Sequence, residues 1–319
     1  MMQARPYSEA DAEHWDAFCA DAYMATFLHS RRFLAYHGTR FRDLSVVLEH
    51  KGDWWGVLPA AEHPEDPGCV VSHPGITYGG FLHQGKLRGQ RMLDAFDAVN
   101  TYYKADGLEK FLYKPVPHIY HRAPAQDDLY AMFRLQAART RCDISCAIDL
   151  DNRLPANQRR KRALKKADKA GAQVAVADSG QIELLWQVLE ENLQRKHGAM
   201  PVHSLAEITG LAIRFPGNIE FVVGLLNDRV EAGVVLFQTP LACHAQYIAA
   251  SPYANEAALL DKVFEYSIAR AKDAGVRYFD FGISNEDQGR VLNQGLFSFK
   301  SEFGGGGVVH EFYEIKLSD

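Results

Sequence analysis

The sequence predicts an α/β (α+β) chain of two domains, each a mixed, largely antiparallel central sheet flanked by helices. Three observations lead there. First, 319 residues with 47% hydrophobic and 24% charged side chains is ordinary globular material, more than one typical domain holds and suited to two of about 150 residues. Second, apolar runs of strand length alternate with amphipathic helical stretches along the whole chain. Third, residues 104–116 (KADGLEKFLYKPV) and 272–284 (KDAGVRYFDFGIS) each pass from a helix end through a glycine into an aromatic strand. This weak internal repeat sits in the same place in each half and implies two copies of one fold. The turn-rich stretch 151–155 is the natural boundary, giving domains 1–150 and 151–319.

Composition narrows the class. A net charge of −5 gives no footprint for DNA binding. No apolar run approaches the roughly 18 residues of a membrane span, and the N-terminal stretch MMQARPYSEADAEHWDAF has no leader-like apolar core. Five cysteines at scattered positions (19, 69, 142, 146, 243) fit reduced thiols in a cytoplasmic protein. Cys142 and Cys146 share one strand face, but no nearby Cys or His pair completes a metal site, so no metal is expected.

In chain order, residues 8–37 read as helical, with Ser8 as cap and Trp15, Phe18, Cys19 and Tyr23 on one stripe. A second helix opens near His29, where Arg31 and Arg32 form either a solvated face or a phosphate contact. Strand-like runs at 44–50 and 54–62 flank Lys51-Gly52-Asp53, a hairpin signal. Strands are expected at 69–72 and 76–82. Between them lie His73-Pro74-Gly75 and then Tyr78-Gly79-Gly80, a loop whose glycines leave backbone amides uncovered for a ligand. Turn packing is the plainer reading of His73 and Tyr78. A helix over 87–105, a strand over 110–116, a short helix over 126–135 and a strand over 141–150 complete the first half.

The second half opens with NQRRKRALKKADK (157–169), which carries seven basic side chains and one acidic one. That is +6, leaving −11 on the remainder of the chain. Ala163, Leu164, Ala167 and Ala170 form an apolar stripe, so this is an amphipathic helix with a basic face. The face is either simply solvated or a grip on a polyanion: a diphosphate-linked sugar, a CoA phosphate or a tRNA end. Arg159 and Arg162, three apart, suit the second use. Helices follow over 181–197 and 205–215, the latter with Ser204 and Glu207 as a capping box. His203 immediately precedes it, as a structural histidine or a cleft residue. Strands at 221–226, 229–238 and 241–250 form a meander. Asn255 is the expected cap of a helix that stops at Ala274-Gly275. A strand over 276–281 ends in Asp280-Phe281-Gly282. This strand–helix–strand unit can join parallel strands and puts Asp280 at a strand's C-terminal end, where α/β sheets usually hold ligands. Gly304–Gly307 is no phosphate loop, because no Lys-Ser/Thr follows.

Gln246-Tyr247, Asp280-Phe281-Gly282, Asn293-x-Gly295-Leu296 and Phe299-Lys300-x-x-Phe303-Gly304 together resemble the C-terminal half of the Fem-type branch of the GNAT acyltransferase superfamily. The resemblance covers 155–319 well and 1–150 more loosely. It implies tandem GNAT-like domains that transfer an acyl or aminoacyl group to an amino group. The acceptor would be a cell-envelope precursor or a nucleotide- or lipid-linked amino sugar, held between the domains. It also implies substrate contacts from His73, Tyr78 and Gly79 in the first domain and from Asn293 and Phe299 in the second. It makes Lys300 a cation near the reacting carbonyl.

Acyl transfer to an amine needs a neutral amine, a polarised carbonyl and a proton for the leaving group. Tyr247 is the expected general acid, or else a cleft wall. Asp280 would orient or deprotonate the amine, or merely hydrogen-bond at a strand end; the base stays open among His203, Asp280 and water. Lys300 would stabilise the oxyanion. One departure bears on the donor. Acetyl-CoA enzymes of the superfamily cradle the pyrophosphate on a glycine-containing turn before the crossover helix, whereas Ser251–Glu256 holds no glycine. Acyl-CoA, acetyl-CoA foremost, and aminoacyl-tRNA both remain as donors. The helical arm that Fem ligases commonly carry for tRNA has no counterpart of sufficient length. A phosphosugar-binding protein without catalysis is the third reading.

Overall fold

The computed structural model describes residues 2–317. Its first elements are β1 (Gln3–Pro6), α1 (Ala12–Asp21), α2 (Arg31–Leu34), β2 (Val46–His50), β3 (Asp53–Leu58), β4 (Ala61–His63), β5 (Asp66–Val71), α3 (Gln90–Ala105), β6 (Lys110–Tyr113), α4 (Asp127–Arg134) and β7 (Ala138–Asp149). Then come α5 (Gln158–Lys169), β8 (Gln173–Val176), α6 (Ser179–His197), α7 (Leu205–Arg214), β9 (Ile219–Leu226), β10 (Arg229–Gln238) and β11 (Ala242–Ala250). The chain ends with α8 (Pro252–Ala257), α9 (Leu259–Asp273), β12 (Tyr278–Ile283), β13 (Asn285–Glu286), β14 (Val291–Leu292), α10 (Gln294–Ser301) and β15 (Gly306–Lys316).

Two compact units result. The first holds the residues up to Ile144, Asn285–Leu292 and the segment from Val309 onward; the second holds Ser145–Ser284 and Asn293–Val308. The division therefore differs from a single cut at 150/151, because the last strand gives most of its length to the first unit. There Tyr313–Lys316 pairs antiparallel with Lys110–Tyr113. The fold class is the expected mixed one, with mostly antiparallel sheets flanked by helices.

In the first unit β1-β2-β3 form one antiparallel sheet, and β4, β5, β6 and β15 are successive neighbours in another. Lys51, at φ 54, lies in the turn joining β2 to β3, as a primed hairpin turn requires. Helix α3 buries Met92, Ala95, Phe96, Val99 and Tyr103, a three-to-four spacing that lays one face on the core with Phe81, Phe111 and Tyr113. In the second unit the order is β7-β12-β11-β10-β9-β8. The β9–β10 turn is again of the primed kind, with Asn227 and Asp228 both at positive φ. Helix α9 buries Leu259, Val263, Phe264, Ile268 and Ala271 against Cys243, Ala245, Phe279 and Phe281.

The internal repeat is structural. Each unit contains one parallel pair, β5–β6 and β11–β12, and in each the crossover ends in α3 or α9. Gly107 and Gly275, at φ 83 and 75, end those helices in the same way.

Three local expectations fail, each because longer-range hydrogen bonds win. The stretch 8–37 is broken at Ala22, where the chain turns extended and Tyr23 N–H bonds to the His83 carbonyl instead. Residues 76–82 form no strand; Gly79 N–H bonds to Lys114 O and only Leu82 bridges to Val57. Asn255 is not a cap. Ser251 caps α8 by accepting from Ala254 N–H, and Ala258 at φ 58 separates α8 from α9.

Candidate active site

The site begins where β11 and β12 part. These parallel strands are in register only at Ala242↔Tyr278, Cys243↔Phe279 and His244↔Asp280. Beyond that point β11 is bulged against β10: Tyr247 faces Val235 and Ala245 faces Leu236, so Gln246 is the extra residue. On β12 the backbone turns through Gly282 at φ 75. Because Cys243, Phe279 and Phe281 point into the core under α9, alternation puts His244 and Asp280 on the opposite face. Tyr247 is on that face too, since its ring packs edge-on against Trp186 of α6 at 5.3 Å.

Asp280 is fully buried, and three donors converge on its carboxylate. Ser145 Oγ–H from β7 and Gly282 N–H (3.0 Å) reach Oδ1; His244 Nδ1 reaches Oδ2 at 2.9 Å. Lys300 from α10 is 2% exposed. Its ammonium donates to the carbonyls of Gly282 and Ile283 at 2.8 and 2.6 Å, closing the end of β12. Burial pulls its pKa down to about 8, although the charges of Asp280 and Cys146 act the other way. An ammonium has three donors, so a third N–H is left for a ligand. Tyr247 and His203 form a second cluster: His203 Nδ1 lies 2.6 Å from the Tyr247 hydroxyl, which also accepts from His203 N–H at 3.2 Å. Burial raises the Tyr247 phenol's pKa, with the His203 amide opposing.

The structure thus brings Asp280 to Lys300 and His203 to Tyr247. Other expected residues have structural work. Phe299 is packed among Phe264 and Phe303 with the Arg160 guanidinium over its ring. Asn293 caps α10, its Oδ1 accepting from Leu296 N–H. On α5, Arg160 rather than Arg159 or Arg162 is the buried arginine, paired to Asp261 and Glu302. Arg159 is 60% exposed and paired to Glu302 at 2.8 Å; Arg162 is exposed.

The first-unit residues are packed rather than presented. Tyr78 is buried against Tyr120 and His29. A Cβ at Gly79 would stand 1.9 Å from the Ser72 carbonyl oxygen, so this glycine serves a close backbone approach. His73, at φ 60, is buried beside His37 and Phe41, and its pKa falls well below the ordinary value for that reason.

Sequence reasoning missed His244 and Ser145. Nothing local marks them; what makes them notable is cross-strand register with Asp280, and separations of 36 and 135 residues carry no spacing signal.

Among the described residues no group of three or more His, Cys, Asp or Glu side chains could hold a metal ion. No helix is long and apolar enough to cross a membrane.

With this geometry in view, comparison with known proteins is specific about the fold. The model of the family described as "Acetyltransferase (GNAT) domain" matches residues 156–288, the part that holds β11, β12, Tyr247, His244 and Asp280. No curated protein sequence matches the chain. Among solved structures, FemX superposes with a TM-score of 0.68 at 12% identity, covering 98% of this chain and 96% of that one. The lysylphosphatidylglycerol synthase structure "L-PGS from Bacillus licheniformis" gives 0.59 at 11% identity, covering 88% and 86%. A tandem GNAT protein from the clavulanic acid biosynthesis pathway gives 0.56 at 12% identity, covering 100% and 99%. Residues 156–288 are an acetyltransferase (GNAT) domain, and the chain as a whole has the fold of a Fem-like tandem-GNAT protein.

Proposed function

We propose that this chain is an N-acyltransferase whose reaction centre is the gap between the diverging β11 and β12. The acceptor is an amine on a phosphate-bearing precursor, a nucleotide- or lipid-linked amino sugar of the cell envelope. The observation that carries the reading is the parallel pair that separates after three residues, with the Gln246 bulge on one strand and Lys300 at the end of the other. Strand separation uncovers backbone donors and acceptors that an extended thioester arm can pair with. The buried cation of Lys300 stands where an oxyanion would gain most from it.

Acyl-CoA, acetyl-CoA foremost, is the preferred donor. The glycine turn that usually holds the pyrophosphate is replaced by α8 and the left-handed Ala258. A cationic surface lies alongside. Helix α5 is fixed to α9 by Arg160–Asp261 and Lys262–Asp168. Lys161, Arg162, Lys165, Lys166 and Lys169 are exposed on the outer side of that helix. These side chains supply phosphate contacts as point charges and forks rather than through bare amides.

Thermal melting with acetyl-CoA, longer acyl-CoAs and free CoA tests the donor. A ligand at a hundred times its Kd adds about 2.7 kcal/mol, and free thiol released in the presence of amino-sugar nucleotides tests the reaction. No stabilisation and no thiol release would remove the CoA reading. Transfer that requires charged tRNA and is abolished by ribonuclease would establish the second reading, an aminoacyl-tRNA-dependent transferase, which the basic face of α5 favours. Phosphosugar binding without any transfer would leave a non-catalytic binder.

A further inference from the structure

We infer that His244 is the general base that takes the proton from the acceptor amine, with Asp280 and Ser145 as its positioning residues. The inference rests on the acyltransferase reading above and goes beyond it by naming the base that the sequence left open.

The argument starts from donors and acceptors. An ionised carboxylate only accepts hydrogen bonds. Asp280 Oδ1 takes the Ser145 hydroxyl and the Gly282 amide, and Oδ2 faces His244 Nδ1 at 2.9 Å. Nδ1 therefore carries the proton in the neutral ring, and the lone pair is on Nε2. A carboxylate that fixes the tautomer and steadies the imidazolium formed on proton transfer is the general logic of an oriented histidine base. Here the carboxylate is itself held by two further donors from β7 and β12, so the ring cannot swing without breaking them.

Position adds to this. His244 and Asp280 are the last paired residues before the strands diverge, so the ring stands at the apex of the gap. Its side chain keeps 13% exposure while that of Asp280 has none. The ring edge bearing Cε1 and Nε2 faces Gly282: a Cβ there would lie 3.3 Å from Cε1 and 3.9 Å from Nε2. Only glycine takes φ 75 without strain and also leaves that edge uncovered. By contrast Asp280 is enclosed, and Tyr247 is hydrogen-bonded to His203.

The step balances without a further reactant. The amine N–H bond breaks as nitrogen attacks the thioester carbonyl carbon and Nε2 receives the proton. Collapse of the tetrahedral intermediate breaks the C–S bond, and the same imidazolium returns its proton to the leaving thiolate. The titratable groups around the pair are Asp280 on β12, Lys300 on α10, Cys146 on β7 and Cys243 on β11. Tyr247 and His203 lie farther along the same face.

The test compares wild type, His244→Gln and Asp280→Asn, each first shown to melt at the wild-type temperature within a few degrees. Acetyl-CoA binding is read by thermal shift and transfer by thiol release across pH. The expected result is unchanged acetyl-CoA binding in both variants and transfer roughly 10²- to 10⁴-fold slower in His244→Gln. The acid limb of the wild-type profile should move to lower pH in Asp280→Asn, because the carboxylate that favours the imidazolium is gone. Nitrogen NMR of the imidazole should show the Nδ1–H tautomer in wild type and its loss in Asp280→Asn. A His244→Gln enzyme with wild-type rate and acid limb overturns the inference while leaving the acyltransferase reading intact. A wild-type protein that transfers from neither acetyl-CoA nor charged tRNA overturns both.

Discussion

Lys300 Nζ lies 2.8 Å from the carbonyl oxygen of Gly282, so the glycine that bends the end of β12 is tied to a buried ammonium. The same ammonium holds the Ile283 carbonyl. Removing it leaves two carbonyls without a donor at the proposed reaction centre.

Lys300→Met is therefore expected to slow transfer by roughly 10²- to 10³-fold, the usual cost of losing one oxyanion donor. The wild-type rate should also fall on the alkaline side. Lys300 is charged below about 8, so the donor is present at neutral pH and lost as pH rises through that value. A kcat profile from neutral to alkaline pH checks both points. A basic limb that survives in Lys300→Met would assign it to another group.

Arg160 and Arg162 are two residues apart on one helix and should behave oppositely. Arg160 is buried with Asp261, whose pKa is raised by burial despite the arginine. Breaking a buried pair by deleting one partner costs about 3–5 kcal/mol, so Arg160→Ala should lower the urea midpoint strongly. Arg162→Ala, on the exposed face, should stay within about 0.5 kcal/mol of wild type and instead weaken binding of the phosphate-bearing ligand. Binding unchanged in Arg162→Ala at low salt would remove that residue from the ligand site.

The first unit should be acid-labile. Burial holds the imidazoles of His29, His83 and His121 down to about 4, whereas in the unfolded chain they protonate near 6.5. Between those values the unfolded chain binds more protons, so stability falls as pH drops. The slope is up to about 1.4 kcal/mol per pH unit for each fully buried ring. Trp15, Trp54 and Trp55 lie in the first unit and Trp186 in the second. Fluorescence-detected melts of a Trp186→Phe protein at neutral and mildly acidic pH therefore report the first unit alone. A melting point flat over that range would contradict the prediction.

Gly79→Ala separates packing from binding in the Tyr78-Gly79-Gly80 loop. The new methyl would meet the Ser72 carbonyl at 1.9 Å, and backbone there must move, which costs on the order of 1–3 kcal/mol or more. The expected variant is less stable but keeps its ligand affinity per folded molecule. Wild-type stability with lost affinity would restore the ligand role of this loop.

Much of the architecture was legible in the chain. The turn at Lys51-Gly52, the Asn227-Asp228 turn, the Ser204–Glu207 capping box and the apolar stripes of α3 and α9 are local features, and local sequence decides them. The motifs around Tyr247, Asp280 and Lys300 were also visible, and with them the tandem GNAT-like fold. The break at Ala22 and the irregular course of 76–82 were not, because distant carbonyls and amides outbid local propensity there.

By itself, then, the sequence determined the α/β class, the doubled fold and a short set of reactive side chains near the end of one strand. Tertiary structure alone decided which of them meet. It put His244 opposite Asp280 and Ser145 across two strand pairings, turned Arg160 inward while leaving Arg162 in solvent, and spent Asn293 on a helix cap. The physical reason is register. Strand pairing across tens to hundreds of residues sets which side chains share a face, and no spacing within the chain encodes that partner.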